Sequence, residues 1–169
     1  MQVNILRVCC YVCLCLMAAA ASAAPFVSSH GYTVTPPPGW AVNSVAEDDA
    51  NFVFPAGVLE GLTPSVIIKA GVSPLGMTMA SLTAKLVLGF KTGPPHTVLL
   101  SQTSSSLGGV PDLDTIFAAT KQGRRFRCRM VYVLKNKFTY IIIAAYPEKT
   151  HARYDVSITH MLASFHWNA

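Results

Sequence analysis

Residues 113 to 146 constrain the fold more than any other part of this chain. Three runs rich in β-branched and aromatic residues follow one another there: Leu113 to Thr120, Arg125 to Leu134 and Phe138 to Tyr146. Only the four residues Lys121 to Arg124 separate the first two, turning at Lys121-Gln122-Gly123, and Lys135-Asn136-Lys137 the last two. Connections this short join antiparallel neighbours, because a parallel pair needs a crossover of a dozen residues or more. Asn136 tolerates the positive φ that tight hairpins need. The sequence therefore predicts an antiparallel meander.

Weaker strand signals precede it at Tyr32–Thr35, Trp40–Val42, Asn51–Phe54, Ser65–Ala70 and His96–Gln102. Pro36-Pro37-Pro38-Gly39 reads as a turn, with Trp40 folding into the core, and Glu47-Asp48-Asp49 as an exposed turn. Ser104 to Asp112 reads as a loop. Met79, Leu82, Leu86 and Phe90 recur at steps of three and four, predicting a helix from about Thr78 to Lys91 that Gly93-Pro94-Pro95 stops. A second helix is predicted from Thr150 to Phe165, with Tyr154, Ile158, Met161, Leu162 and Phe165 on one face. The order strands, helix, strands, helix argues an α+β domain: an antiparallel sheet with helices packed on it.

The N-terminus reads as a secretory signal peptide. Arg7 precedes an apolar run from Val8 to Ala21, and Ala21-Ser22-Ala23 fits the small-residue cleavage pattern. Cleavage is expected after Ala23, leaving residues 24 to 169 as a single globular domain. Four of the five cysteines, Cys9, Cys10, Cys13 and Cys15, leave with the signal. None of them has the preceding small residue that a lipid-anchor cysteine needs. An exported domain with one cysteine has no internal disulfide, so packing must hold it. No second apolar span follows, and a periplasmic or secreted location is expected. The formal net charge is +5, and loss of Arg7 leaves about +4, which is compatible with anionic partners.

An exported chain opening on an aromatic strand and Pro38-Gly39-Trp40, with a strand near Val66 to Ala70, a helix, Leu107-Gly108-Gly109, a long hairpin and a final helix ending at Ser164-Phe165, resembles the PsbP-like/DcrB-like superfamily. The likeness spans Tyr32 to Phe165. It implies an α-β-α sandwich around an antiparallel sheet. It also implies a binding or assembly module without a shared catalytic centre, as in photosystem accessory subunits, bacterial envelope proteins and secretion-associated chaperones. No plant transit segment is recognisable, so photosystem assembly is not expected of this chain.

The candidate site is Arg124-Arg125-Phe126-Arg127-Cys128-Arg129-Met130, with four arginines in six residues. Side chains alternate faces along a strand, so Arg125, Arg127 and Arg129 point one way and Phe126, Cys128 and Met130 the other. Cys128 is therefore read as a buried structural thiol. For the arginines two readings stand. They are a solvated strand end whose guanidinium groups cover apolar surface or pair with acids. Alternatively, Arg124, Arg125, Arg127 and Arg129 form an edge that binds an anionic surface or an acidic partner. Nucleic acid is not expected, because the row lacks interleaved exposed aromatics and the chain carries an export signal.

No catalytic residue is nominated. Residues 24 to 169 contain no G-x-S-x-G, P-loop, G-x-G-x-x-G, H-E-x-x-H or C-x-x-C pattern, the one C-x-x-C spacing, Cys10 to Cys13, lying in the apolar run read as the signal. His151 and Asp155 at i, i+4 read as an exposed helix pair, not as a metal site. Asp112 and Asp114 read as turn-capping carboxylates. No metal or cofactor is expected. The leading functional reading is a non-enzymatic accessory or chaperone-like protein whose partner is another envelope or secreted protein. The alternatives are a small secreted hydrolase with a site assembled in the fold, and an extracellular protein that binds anionic surfaces.

Overall fold

The computed structural model describes residues 23–43, 49–54, 62–92 and 97–168. The segment read as a signal peptide, up to residue 22, Glu47 and Asp48 of the expected acidic turn, the expected helix stop Gly93-Pro94-Pro95, and His96 lie outside the described residues.

Ten strands and two α-helices occur among the described residues. In chain order they are β1 (Phe26–Val27), β2 (Tyr32–Val34), β3 (Ala41–Val42), β4 (Ala50–Val53), β5 (Ser65–Val72), α1 (Met79–Thr92), β6 (Val98–Leu107), β7 (Val110–Lys121), β8 (Arg124–Lys135), β9 (Phe138–Pro147), α2 (His151–Ala163) and β10 (His166–Trp167). A seven-stranded antiparallel sheet runs β3-β4-β5-β9-β8-β7-β6, and a three-stranded sheet runs β1-β2-β10. The predicted meander is present as β7-β8-β9. Its first turn places Gln122 at φ 53° and Gly123 at φ 74°, and its second places Asn136 at φ 56°.

The meander is longer than the sequence indicates. Ser104 to Leu107 and Val110 to Asp112 are not a loop: they close a further hairpin between β6 and β7, with only Gly108 and Gly109 in the turn. Serine has weak intrinsic strand preference, so the run reads as loop locally. Pairing with β7 overrides that preference. Gly108 at φ 55° and Gly109 at φ 81° supply the backbone geometry that a two-residue hairpin turn requires. Pro111 tolerates its strand position because it is the second residue of β7, opposite Ser106, before the pairing of β7 with β8 begins at Asp112.

Strand alternation divides the large sheet into two apolar faces. On one, Val131, Val133, Ile142, Ala144 and Tyr146 pack against Tyr154, Ile158, Met161 and Leu162 of α2 and against Tyr32 and Val34 of the small sheet. Trp40 joins this core, edge-on to Phe54 and Tyr154. Phe165 is also buried there but lies beyond the end of α2, stacked on Tyr32 at 4.8 Å between ring centroids. On the opposite face, Leu82 of α1 packs on Leu113 and Tyr132, flanked by Met79, Leu86, Met130 and Ile141. The result is a helix on each side of an antiparallel sheet, the α-β-α layering that the resemblance implies. Thr78 opens α1 with a side-chain cap, its Oγ1 accepting the Ser81 N–H at 3.1 Å.

Candidate functional site

The arginines divide by distance from the β7–β8 turn. Arg127 and Arg129 lie on the α2 face of β8, where acids stand opposite. Arg127 donates through Nε and Nη2 to the two carboxylate oxygens of Glu148, at 3.1 and 3.0 Å, and through Nη1 to Asp155 at 3.2 Å. Arg129 grips Asp114 from Nε and Nη2, the shortest contact being 2.6 Å, and reaches the Thr159 hydroxyl at 2.8 Å. Two-pronged pairs of this kind are strong because the planar guanidinium matches the carboxylate. The side chains of Arg127 and Arg129 are only 16% and 15% exposed. Hydrogen bonding to Glu148 raises the Arg127 pKa further, against the opposing cost of burial.

Arg124 and Arg125 stand at the turn and are exposed. With Gly123, Glu148 and Lys149 they line a cleft of about 520 Å³. Both carboxylate oxygens of Glu148 already accept from Arg127, so this acid offers little compensation to the two arginines at the tip. The structure thus separates the row into an inner, acid-paired half and an outer half presented to solvent.

The inner half belongs to a larger polar network. Asp155 Oδ2 lies 2.9 Å from His151 Nδ1, and the Tyr146 hydroxyl donates to Asp155 Oδ1. Arg127 Nη1 lies 3.0 Å from the same His151 nitrogen. The i, i+4 pair predicted on α2 is therefore present, yet it is half-buried and tied to the sheet rather than free on the surface. Burial opposes ionisation of Asp155, but the bonds from Tyr146 and His151 and the Arg127 charge hold its carboxyl below the usual range. Burial and the Asp155 contact together push the Tyr146 hydroxyl strongly up, so it stays protonated and donates.

Asp112 and Cys128 are both structural. Asp112 is buried and accepts from Ser105 Oγ at 2.6 Å and Ser105 N at 3.2 Å, bracing the β6–β7 hairpin across its strands, not capping a turn. Cys128 is buried, as its parity predicts, and desolvation pushes its thiol up to about 11, far from the thiolate a nucleophile needs.

One cluster carries no sequence motif. Asp49 accepts from Ser28 Oγ at 2.6 Å and lies 2.7 Å from His30 Nδ1. Serine and histidine both bond the carboxylate, and the Ser28 oxygen accepts the His30 backbone N–H at 2.9 Å. A hydrolytic relay needs the histidine between the other two, so this cluster ties the β1–β2 connection to Asp49. The 21-residue separation of Ser28 and Asp49 hides it from any local pattern. Among the described residues no group of three or more His, Cys, Asp or Glu side chains could hold a metal ion. No helix among them is long and apolar enough to cross a membrane.

No family model matches the chain, and no curated protein matches it in sequence. Solved structures do. LpqN of Mycobacterium tuberculosis, involved in cell envelope biogenesis, superposes with a TM-score of 0.69 at 11% identity, covering 86% of this chain and 90% of its own. The cyanobacterial PsbP, CyanoP, of Synechocystis superposes with a TM-score of 0.67 at 14% identity, covering 89% and 95%. The Ran-binding protein Mog1p of Saccharomyces cerevisiae does so with a TM-score of 0.56 at 12% identity, covering 86% and 96%. At such identities the likeness concerns architecture alone. The chain is similar to these proteins in having the PsbP-like α+β fold.

Proposed function

We propose that this protein is an exported, non-enzymatic binding or assembly module of the cell envelope, with another envelope or secreted protein as its partner. Residues 1 to 23 act as a cleaved signal peptide, and residues 24 to 169 form the working domain. The β7–β8 hairpin tip is the contact point for an acidic group of that partner. The observation that carries this reading is the division of the arginine row: Arg127 and Arg129 are neutralised by Glu148, Asp155 and Asp114, whereas Arg124 and Arg125 stand exposed beside a cleft. Guanidinium groups presented in this way suit carboxylates and phosphates. The architecture is shared with LpqN and Mog1p, of which one takes part in envelope biogenesis and the other binds a protein.

The test uses the mature protein as bait on envelope extract, beside an Arg124→Gln/Arg125→Gln variant. The expected result is a partner recovered by the wild type, released as salt rises, and recovered poorly by the variant. Exposed ionic contacts are screened over about 8 Å at physiological ionic strength, so salt must weaken them. Equal recovery by both proteins would remove the hairpin tip from the proposal. Intact-mass measurement of exported material checks the processing, since a product retaining residues 1 to 23 contradicts it.

A further inference from the structure

The outer edge of the large sheet has a property that the hairpin tip does not share. β6 pairs with β7 on one side and ends the sheet on the other. It is ten residues long, and its sequence, VLLSQTSSSL, contains no charge and no proline. Eight of the ten residues are exposed, with Gln102 half-buried and Leu107 buried. Long exposed edges usually carry lysines, prolines or charges that prevent another strand from adding, because unpaired N–H and C=O groups are a template for pairing. Among the described residues the only such device on this strand is the register shift between Leu99 and Ser101, which leaves Ser101 to Leu107 as a regular run.

We infer that β6 pairs antiparallel with β6 of a second copy of this chain, joining two seven-stranded sheets across a two-fold axis. The composition of the run points to a copy of itself. In an antiparallel pair, directly opposite residues share a face, so a two-fold axis through the strand pair sets one residue against its own copy. A charged residue at that point meets a like charge, which opposes pairing. The midpoint of Ser101 to Leu107 is Ser104. With Ser104 on the axis, Thr103 faces Ser105 and Gln102 faces Ser106 on both sides. Hydroxyl groups both donate and accept, so serine opposite serine is complementary to itself. Main-chain hydrogen bonds then supply the affinity, as in other strand additions. The other end of the sheet, β3, has two residues and offers no comparable run.

Light scattering on the mature protein across the micromolar range tests this, with Ser104→Lys and Ser104→Glu variants. The expected result is a concentration-dependent dimer for the wild type. Either variant alone should dissociate about ten-fold or more readily, because like charges face each other across the axis. Circular dichroism should match the wild type, since position 104 is exposed. Mixing the two variants should restore a dimer that contains one of each, because lysine then faces glutamate. A wild type that stays monomeric throughout, a Ser104→Lys dimer as tight as the wild type, or a mixture that stays monomeric would each overturn the proposal. Addition of a strand from a different protein to a wild type that never self-associates would overturn it in favour of that other occupant.

Discussion

Arg127 on β8 and Glu148 in the turn before α2 share two parallel hydrogen bonds of 3.1 and 3.0 Å, which tie the sheet to the start of the helix that covers it. The pair is mostly buried, at 16% and 23% side-chain exposure. Removing the cation strands two carboxylates, since Asp155 also accepts from Arg127. Arg127→Ala should lower stability by about 2–3 kcal/mol, the range for hydrogen bonds to charged groups and partly buried pairs. Arg124→Gln/Arg125→Gln, at exposed positions, should stay within about 0.5 kcal/mol per site. Urea unfolding of the two proteins measures the contrast, and equal losses would contradict the division of the row.

Two tyrosines should respond in opposite directions to the same change. Tyr146 donates to an ionised carboxylate, so Tyr146→Phe should cost about 1.5–3 kcal/mol. Tyr154 is buried among Trp40, Phe54 and Tyr146, and its hydroxyl has no hydrogen-bond partner among the described residues. Tyr154→Phe removes a desolvated polar group without breaking a bond and should raise stability by about 1 kcal/mol. Thermal melts of both variants decide the signs.

Gly108 holds the β6–β7 turn against the C-terminal strand. A Cβ there would lie 3.0 Å from the Phe165 carbonyl oxygen and 3.1 Å from Trp167 Cδ1, at a φ of +55°. Trp167 cannot simply swing away, because its Nε1 donates to the Leu107 carbonyl at 3.0 Å. Gly108→Ala should destabilise by about 1–3 kcal/mol through backbone strain and crowding together. It should also change the tryptophan fluorescence. At the neighbouring Gly109 a Cβ would meet no atom within 4 Å, so Gly109→Ala should show strain without the spectral change.

Acid should loosen the fold through Asp49 and Asp155. Burial disfavours both charges, but Ser28 and His30 around Asp49, and Tyr146, His151 and Arg127 around Asp155, hold both carboxyls below their usual range. The folded state therefore binds these protons less readily than the unfolded chain. Their contribution is fully present above the unfolded value of about 3.9, and it is lost as pH falls below that value and through the folded ones. Denaturant midpoints should be flat above about pH 5 and fall below about pH 4. Asp49→Asn should lower the midpoint at neutral pH and make the acid decline shallower.

Local sequence determined the parts of this protein that depend on near neighbours. Alternation along Arg124 to Lys135 put Cys128 on the face opposite Arg127 and Arg129. Gln122-Gly123 and Asn136 marked the turns, and the spacing of Tyr154, Ile158, Met161 and Leu162 marked the buried side of α2. These features were legible because periodicity and turn chemistry act over a few residues. The tertiary structure decided which acids meet which arginines. Glu148 and Asp155 lie 21 and 28 residues from Arg127, and parity names the face of a strand but not what will stand over it. It also turned Ser104 to Ser106 from an apparent loop into strand, because β7 offers backbone partners that serine's own preference does not reveal. The division of the arginine row into paired and exposed halves arose in the same way. Arg125, Arg127 and Arg129 share one face by parity, and only the tertiary packing, which brings Asp114 of β7, Glu148 and Asp155 against Arg127 and Arg129, distinguishes them.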